Sequence, residues 1–191
     1  MIDPADPAWK ETVVKSIGHW IGKGAGKWSG WCIPWAAQLH TRVGNAGMAE
    51  MLIEIWQRVF TNEGHGSLHD CQFPGFTLIG AGATPSPGHG QKHEIMQMDG
   101  GMGMINAITD LLCYRQRGVH YFFRGCPTAW ENVAFEGIHA DGGFVISGRR
   151  EKGRGSFSIT ATRAATFRYA DSLGKISAIS MSAGEKREIE L

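Results

Sequence analysis

Residues 156–171, SFSITATRAATFRYAD, decide the fold. Phe157 and Ile159 alternate with Ser and Thr, the two-residue period of a half-buried strand. The same style recurs around Val145, Ile146 and Ser147, in ISAISMS (176–182) and in REIEL (187–191). Glycine-containing and charged turns, GRREKGRG (148–155) and SLGK (172–175), separate these runs. Before about residue 130 the apolar period is 3.6 instead. Trp9, Val13, Ile17 and Trp20 predict a helix over 8–20, with Asp6 and Pro7 as its start signal. Trp31, Trp35, Leu39 and Val43 predict a second over 31–43, with Pro34 in its first turn, where a missing N–H costs little. Met48, Leu52, Ile55, Trp56, Val59 and Phe60 mark the clearest amphipathic helix, 46–61. Met104, Ile105, Ile108, Leu111 and Leu112 predict a fourth over 102–117. Helices first and strands second predict an α+β chain, a helical unit followed by a small antiparallel β unit.

Composition narrows the function classes. The chain has 191 residues, and its 42% apolar content is too high for a disordered polymer. No run of about 18 apolar residues is present, so no membrane-spanning helix is expected. The N-terminal MIDPADPAWKE lacks the basic and apolar regions of a signal peptide. A formal net charge of +1 supplies no electrostatic drive toward nucleic acid. Cys32, Cys71, Cys113 and Cys126 are widely spaced with no CxxC pair, which reads as free thiols rather than a disulfide framework.

Candidate chemistry concentrates in and around the segment 62–98, which is rich in Gly, His and Pro and has little periodicity. Asp99, in MQMDGGMGM (96–104), lies at a junction between loop and helix, either as a capping aspartate or as a general base. Glycines at 100, 101 and 103 remove side chains beside it and leave room for a ligand. His65 and His69, like His89 and His93, are spaced four apart, with Asp70 and Glu94 nearby. That spacing binds zinc on helices, but these are loops and HExxH is absent, so histidines that bind ligand hydroxyls, or have no role, are the preferred reading and no metal or other cofactor is expected. Trp31, Trp35 and Trp130 are candidates to stack on pyranose rings or to pack in a core. GKGAGKWSG (22–30) lacks the phosphate-loop pattern, and no GxSxG elbow is present.

Three stretches together resemble the C-terminal portion of glycoside hydrolase family 95, mainly α-L-fucosidases with some α-galactosidases. In GWCIPWAAQLHTRVGNAG (30–47), Gly30, Trp31, Trp35, Arg42 and Gly44 match the family's Gly-Trp-Ser-x-Ala-Trp…Ala-Arg-Leu-Gly helix. Cys32, Pro34 and Val43 replace its Ser, Ala and Leu. In HEIMQMDGGMG (93–103), His93, Gln97, Asp99, Gly100 and Gly103 match His-Pro-Pro-Phe-Gln-Ile-Asp-Gly-Asn-Phe-Gly. Both prolines are lost there, and Gly101 and Met102 replace Asn-Phe. In CPTAWENVAFEGIHADGGFVI (126–146), Pro127, Trp130, Gly137, Ala140, Gly142, Gly143 and Phe144 match the segment leading into the family's C-terminal β domain. Order and spacing agree over nearly the whole chain, apart from an apparent insertion around 71–92.

The resemblance implies partial (α/α)6-toroid helices over 1–125 and a C-terminal β domain over 126–191. It implies an inverting exo-glycosidase in which Asp99 is the base-side aspartate, with His93, Trp31, Trp35 and Gln97 contacting a fucosyl or galactosyl substrate. The family's general acid and asparagine pair lie upstream of the matched stretches. The chain is therefore expected to supply one side of a two-carboxylate site and to be a poor hydrolase alone. A non-catalytic carbohydrate-binding or interaction module of the same shape is the alternative. Family members are often secreted or periplasmic. Helices lacking toroid neighbours are expected to leave Trp9, Trp20, Trp28 and Trp56 in an exposed apolar patch that drives self-association.

Overall fold

A computed structural model describes residues 6–72, 76–77 and 95–191. The chain is mixed α and β, in two compact units, Met1–Asp110 and Leu111–Leu191.

Four helices build the first unit: α1 (Pro7–Gly22), α2 (Cys32–Arg42), α3 (Ala46–Val59) and α4 (Met98–Leu112), which runs to the start of the second. The Asp6 side chain accepts from the Ala8 amide and Pro7 opens α1, as the start signal implies. Asn45 caps α3 by accepting from the Met48 amide at 3.3 Å. The short Val43–Asn45 connection turns α3 back against α2. Between α2 and α4 the contacts advance together along both helices. Pro34 packs on Gly103, where an added Cβ would lie 3.4 Å from the proline ring. The Gln38 amide donates to the Gly103 carbonyl at 3.2 Å. Further on, Arg42 pairs with Asp110 at 2.6 Å. The two helices therefore point the same way, with α3 as the returning element.

Their N-termini meet around Gly30. A Cβ at Gly30 would sit 2.0 Å from the Leu68 carbonyl oxygen, so only glycine fits. Its own carbonyl accepts from the Trp56 indole at 2.9 Å. Backbone bonds from Gly30 N–H to the His69 carbonyl (3.0 Å) and from His69 N–H to the Ile95 carbonyl (2.9 Å) clamp residues 67–69 between the starts of α2 and α4. Trp28 and Trp56 are buried by this packing, contrary to the expected exposure, and Trp20 is half-buried. Trp9 alone of those four is exposed.

The second unit holds β1 (Cys113–Gln116), β2 (Val119–Phe122), β3 (Asn132–Ala140), β4 (Phe144–Glu151), β5 (Arg154–Ala161), β6 (Ala165–Ala170), β7 (Ile176–Met181) and β8 (Lys186–Glu190). They form two four-stranded sheets, ordered β1-β2-β6-β7 and β3-β4-β5-β8. Phe122 of the first stacks on Phe157 of the second with centroids 4.0 Å apart, and Phe167 meets Phe144 at 5.0 Å. The sheets thus share one aromatic core. Two expectations are corrected here. The helix expected over 102–117 ends at Leu112, and Cys113–Gln116 turns into a hairpin with Val119–Phe122. The β unit is not wholly antiparallel, because β2 and β6 pair in parallel at His120 and Tyr169.

All four cysteines are free thiols, with Cys71, Cys113 and Cys126 buried and Cys32 half-buried. Burial pushes the Cys126 thiol up to about 11, and its S–H donates to the Leu111 carbonyl at 3.2 Å.

Candidate functional site

The glycine run 100, 101, 103 lets α4 begin in close contact with its neighbours. A Cβ on Gly100 would lie 3.3 Å from the Gly30 carbonyl carbon and 3.4 Å from the Trp31 nitrogen. One on Gly101 would meet Ser67 Oγ at 3.0 Å. Ser67 in turn donates from Oγ to the Gln97 carbonyl (2.7 Å), and its own carbonyl accepts from the Gln97 amide (2.9 Å). A side chain at Gly101 would press on Ser67, which would have to give by a few tenths of an ångström.

Asp99 occupies the first turn of α4, where a carboxylate interacts favourably with unpaired helix amides. It is exposed. Its Oδ1 accepts from the Gly100 N–H at 3.0 Å, and among the described residues Oδ2 has no protein donor. The carboxylate is neither sealed under packed side chains nor used up as a cap.

Trp31 and Trp35 stand on the first turns of α2, 41% and 46% exposed, with their rings stacked at 5.5 Å. Trp20 leans on Trp35 at 5.0 Å and stacks on Trp28 at 4.7 Å, so the outer pair is backed by an inner pair. The contact between Gly100 and the Trp31 backbone places this array and Asp99 on adjoining helix starts. The end of the clamped segment adds a polar pair: His69 Nδ1 bonds Asp70 Oδ1 at 2.6 Å, both only partly exposed.

Gln97 is at the same place but buried. Its amide nitrogen reaches Ser29 Oγ at 3.5 Å, while Oε1 has no hydrogen-bond partner among the described residues. It braces the approach to α4 from beneath. His93, His89 and Glu94 lie outside the described residues. Trp130 is half-buried in the β unit, on a rim shared with Glu131 and Arg150. Among the described residues no group of three His, Cys, Asp or Glu is placed to hold a metal ion, and no helix is long and apolar enough to cross a membrane.

Buried charge lies deeper in the helical unit. Burial raises the Asp110 pKa, and the Arg42 guanidinium acts against that shift. His40 is buried with neither ring nitrogen bonded among the described residues, and burial holds its pKa below the ordinary histidine value. No family model matches the chain, and no curated protein is significantly similar to it.

Proposed function

We propose that the helical unit is the base-side half of an inverting exo-glycoside hydrolase site of the family 95 type, acting on α-L-fucosyl or α-galactosyl groups. One observation carries the reading. An exposed carboxylate and an exposed stacked tryptophan pair stand on the abutting N-termini of two helices that run the same way. In this reading the indole faces take the apolar side of a pyranose. His69 and Asp70 bond its hydroxyls, and Asp99 deprotonates a water aimed at the anomeric carbon. Inversion needs the partner acid about 6.5–9.5 Å away across that water. Same-direction α2 and α4 joined by a returning α3 suit one repeat of an (α/α)6 toroid. α4 supports this further, because Met98, Met102 and Ile105 make an exposed apolar face opposite buried Met104, Ala107 and Leu111. A helix apolar on both sides suits packing on both sides, by toroid neighbours or by self-association.

The test measures release of sugar from aryl α-L-fucoside and α-galactoside, and retention on fucosylated and galactosylated glycans in affinity gels. Hydrolysis that Asp99→Asn lowers by about 10²–10⁴ supports the base role. Retention that Trp31→Ala and Trp35→Ala abolish, without hydrolysis, favours the alternative of a carbohydrate-binding module, to which the crowded Gly101 position already lends weight. Neither hydrolysis nor retention overturns both readings.

A further inference from the structure

The two sheets of the β unit end in four edge strands, β1 and β7 in one and β3 and β8 in the other. An edge strand presents N–H and C=O groups that accept a further strand, and shortness, bulges or charge ordinarily blunt it. Three of the four edges are blunted in this way. β1 has four residues and carries Arg115. β3 is interrupted by the register shift between Phe135 and Ile138. β8, KREIE, is charged at Lys186, Arg187, Glu188 and Glu190.

β7 has none of these guards. Its sequence, ISAISM (176–181), holds no charge and no proline. It pairs with β6 in unbroken register, from Ile176 opposite Ala170 to Met181 opposite Ala165. Among the described residues its other side bonds nothing, so the alternate N–H and C=O groups there are left to water. The side chains around this edge are apolar and open: Ile176 is 49% exposed, and Leu173, in the turn before it, 92%. Ala178 and Ser180 share the exposed face with Ile176, while Ile179 is only half-buried on the other.

What such an edge accepts is an extended strand, and β7 of a second copy is one. A twofold axis normal to the sheet makes the pair antiparallel and keeps each face on its own side. Only Ile, Ser, Ala and Met then meet across the seam, so no like charges are opposed. The flanking charges are of opposite sign, Lys175 ahead of the strand and Glu185 beyond it, so antiparallel pairing sets unlike ends together where parallel pairing would set like ends together. Pairing also uses up the one unguarded edge of each copy, which closes the assembly at two.

We propose that β7 is a dimerisation edge, through which two copies of the chain join their β1-β2-β6-β7 sheets into one continuous sheet. This edge lies in the β unit and shares no residue with the sugar site proposed above. A six-residue seam is a small contact, so the dimer is expected to form between micromolar and millimolar concentration. The full chain carrying Met102→Glu, to suppress association through α4, is followed by sedimentation equilibrium in reductant, and its amide exchange is measured at low and high concentration. A monomer–dimer equilibrium is expected, with the outward amides of β7 slowed only at high concentration. Ala178→Lys is expected to weaken the dimer about tenfold by opposing like charges across the seam, with circular dichroism unchanged. Ala178→Glu is expected to do the same alone, and an equimolar mixture of the two variants to restore the dimer. A chain that stays monomeric to millimolar concentration overturns the proposal. So does a dimer that ignores Ala178→Lys, one whose slowed amides lie at β1, β3 or β8, or association that grows past two.

Discussion

In the β unit the large rings Phe122, Phe144, Phe157 and Phe167 come from two sheets and pack on one another out of water. In the helical unit the rings of Trp31 and Trp35 stack in the open, and the Met98, Met102 and Ile105 face of α4 is bare. Both units are rich in aromatic residues, so composition does not separate them. The difference lies in closure. Two sheets bury each other's inner faces, whereas one side of α2 and α4 is exposed, with no described element of its own unit upon it. A unit left open in this way carries its chemistry at its surface.

The largest expected effect tests the closed side. Phe167→Ala removes a fully buried ring that touches both sheets and should cost about 3–5 kcal/mol in denaturant unfolding. A loss below about 1 kcal/mol would mean that the aromatic core is not the unit's principal support. Next comes Gly30→Ala, which drives a methyl into the Leu68 carbonyl and should cost about 1–3 kcal/mol or more, with loss of helical circular dichroism. If it is silent, the clamp between the starts of α2 and α4 is looser than described.

A pH effect sharpens the comparison because each unit holds a buried histidine whose pKa is lowered, His40 in one and His120 in the other. The unfolded chain binds these protons at the ordinary value near 6.5, and the folded chain only below it. Both contributions are therefore intact above about pH 6.5 and fade as pH falls through the lowered folded values. Denaturation midpoints should drop between pH 7.5 and 5.5, and less so in a His40→Gln variant. An unchanged midpoint in the wild type would contradict neutral buried rings. The smallest stability effect belongs to the open side: Trp35→Ala should cost under about 1.5 kcal/mol because the ring is already half in water. Met102→Glu should leave stability nearly untouched while reducing any self-association seen by light scattering.

What the sequence disclosed follows the same division. Stripes such as Trp9, Val13, Ile17 and Trp20 located three helices to within a few residues, because a helix buried on one side writes its period into the chain. α4 ends sooner than its apolar stripe implies because Tyr114, Arg115 and Gln116 are tolerated in helices and do not mark the stop. The turn that reverses the chain there uses Arg117 at φ +50° before Gly118, not the familiar Asn-Gly. β3 lacks the alternation that marks the other strands because its register shifts between Phe135 and Ile138. At the site, Asp99 and the two tryptophans stood out by type and spacing. That Gln97 would lie beneath the carboxylate and not beside it depends on residues 67–69 bonding across some thirty positions, which no local pattern encodes. The bare edge of β7 was invisible for a similar reason: β7 becomes an outer strand only once β2 lies beside β6.

That meeting of β2 and β6 has a consequence for motion. Each belongs to its own antiparallel ribbon, and the ribbons are joined through one register position, His120 opposite Tyr169. A sheet with so narrow a seam has its cheapest opening there, so amide protons along this line should exchange with solvent before those inside either ribbon. His120, buried in the aromatic core, sits at that seam, so the opening that costs least is also the one that first brings its ring to water.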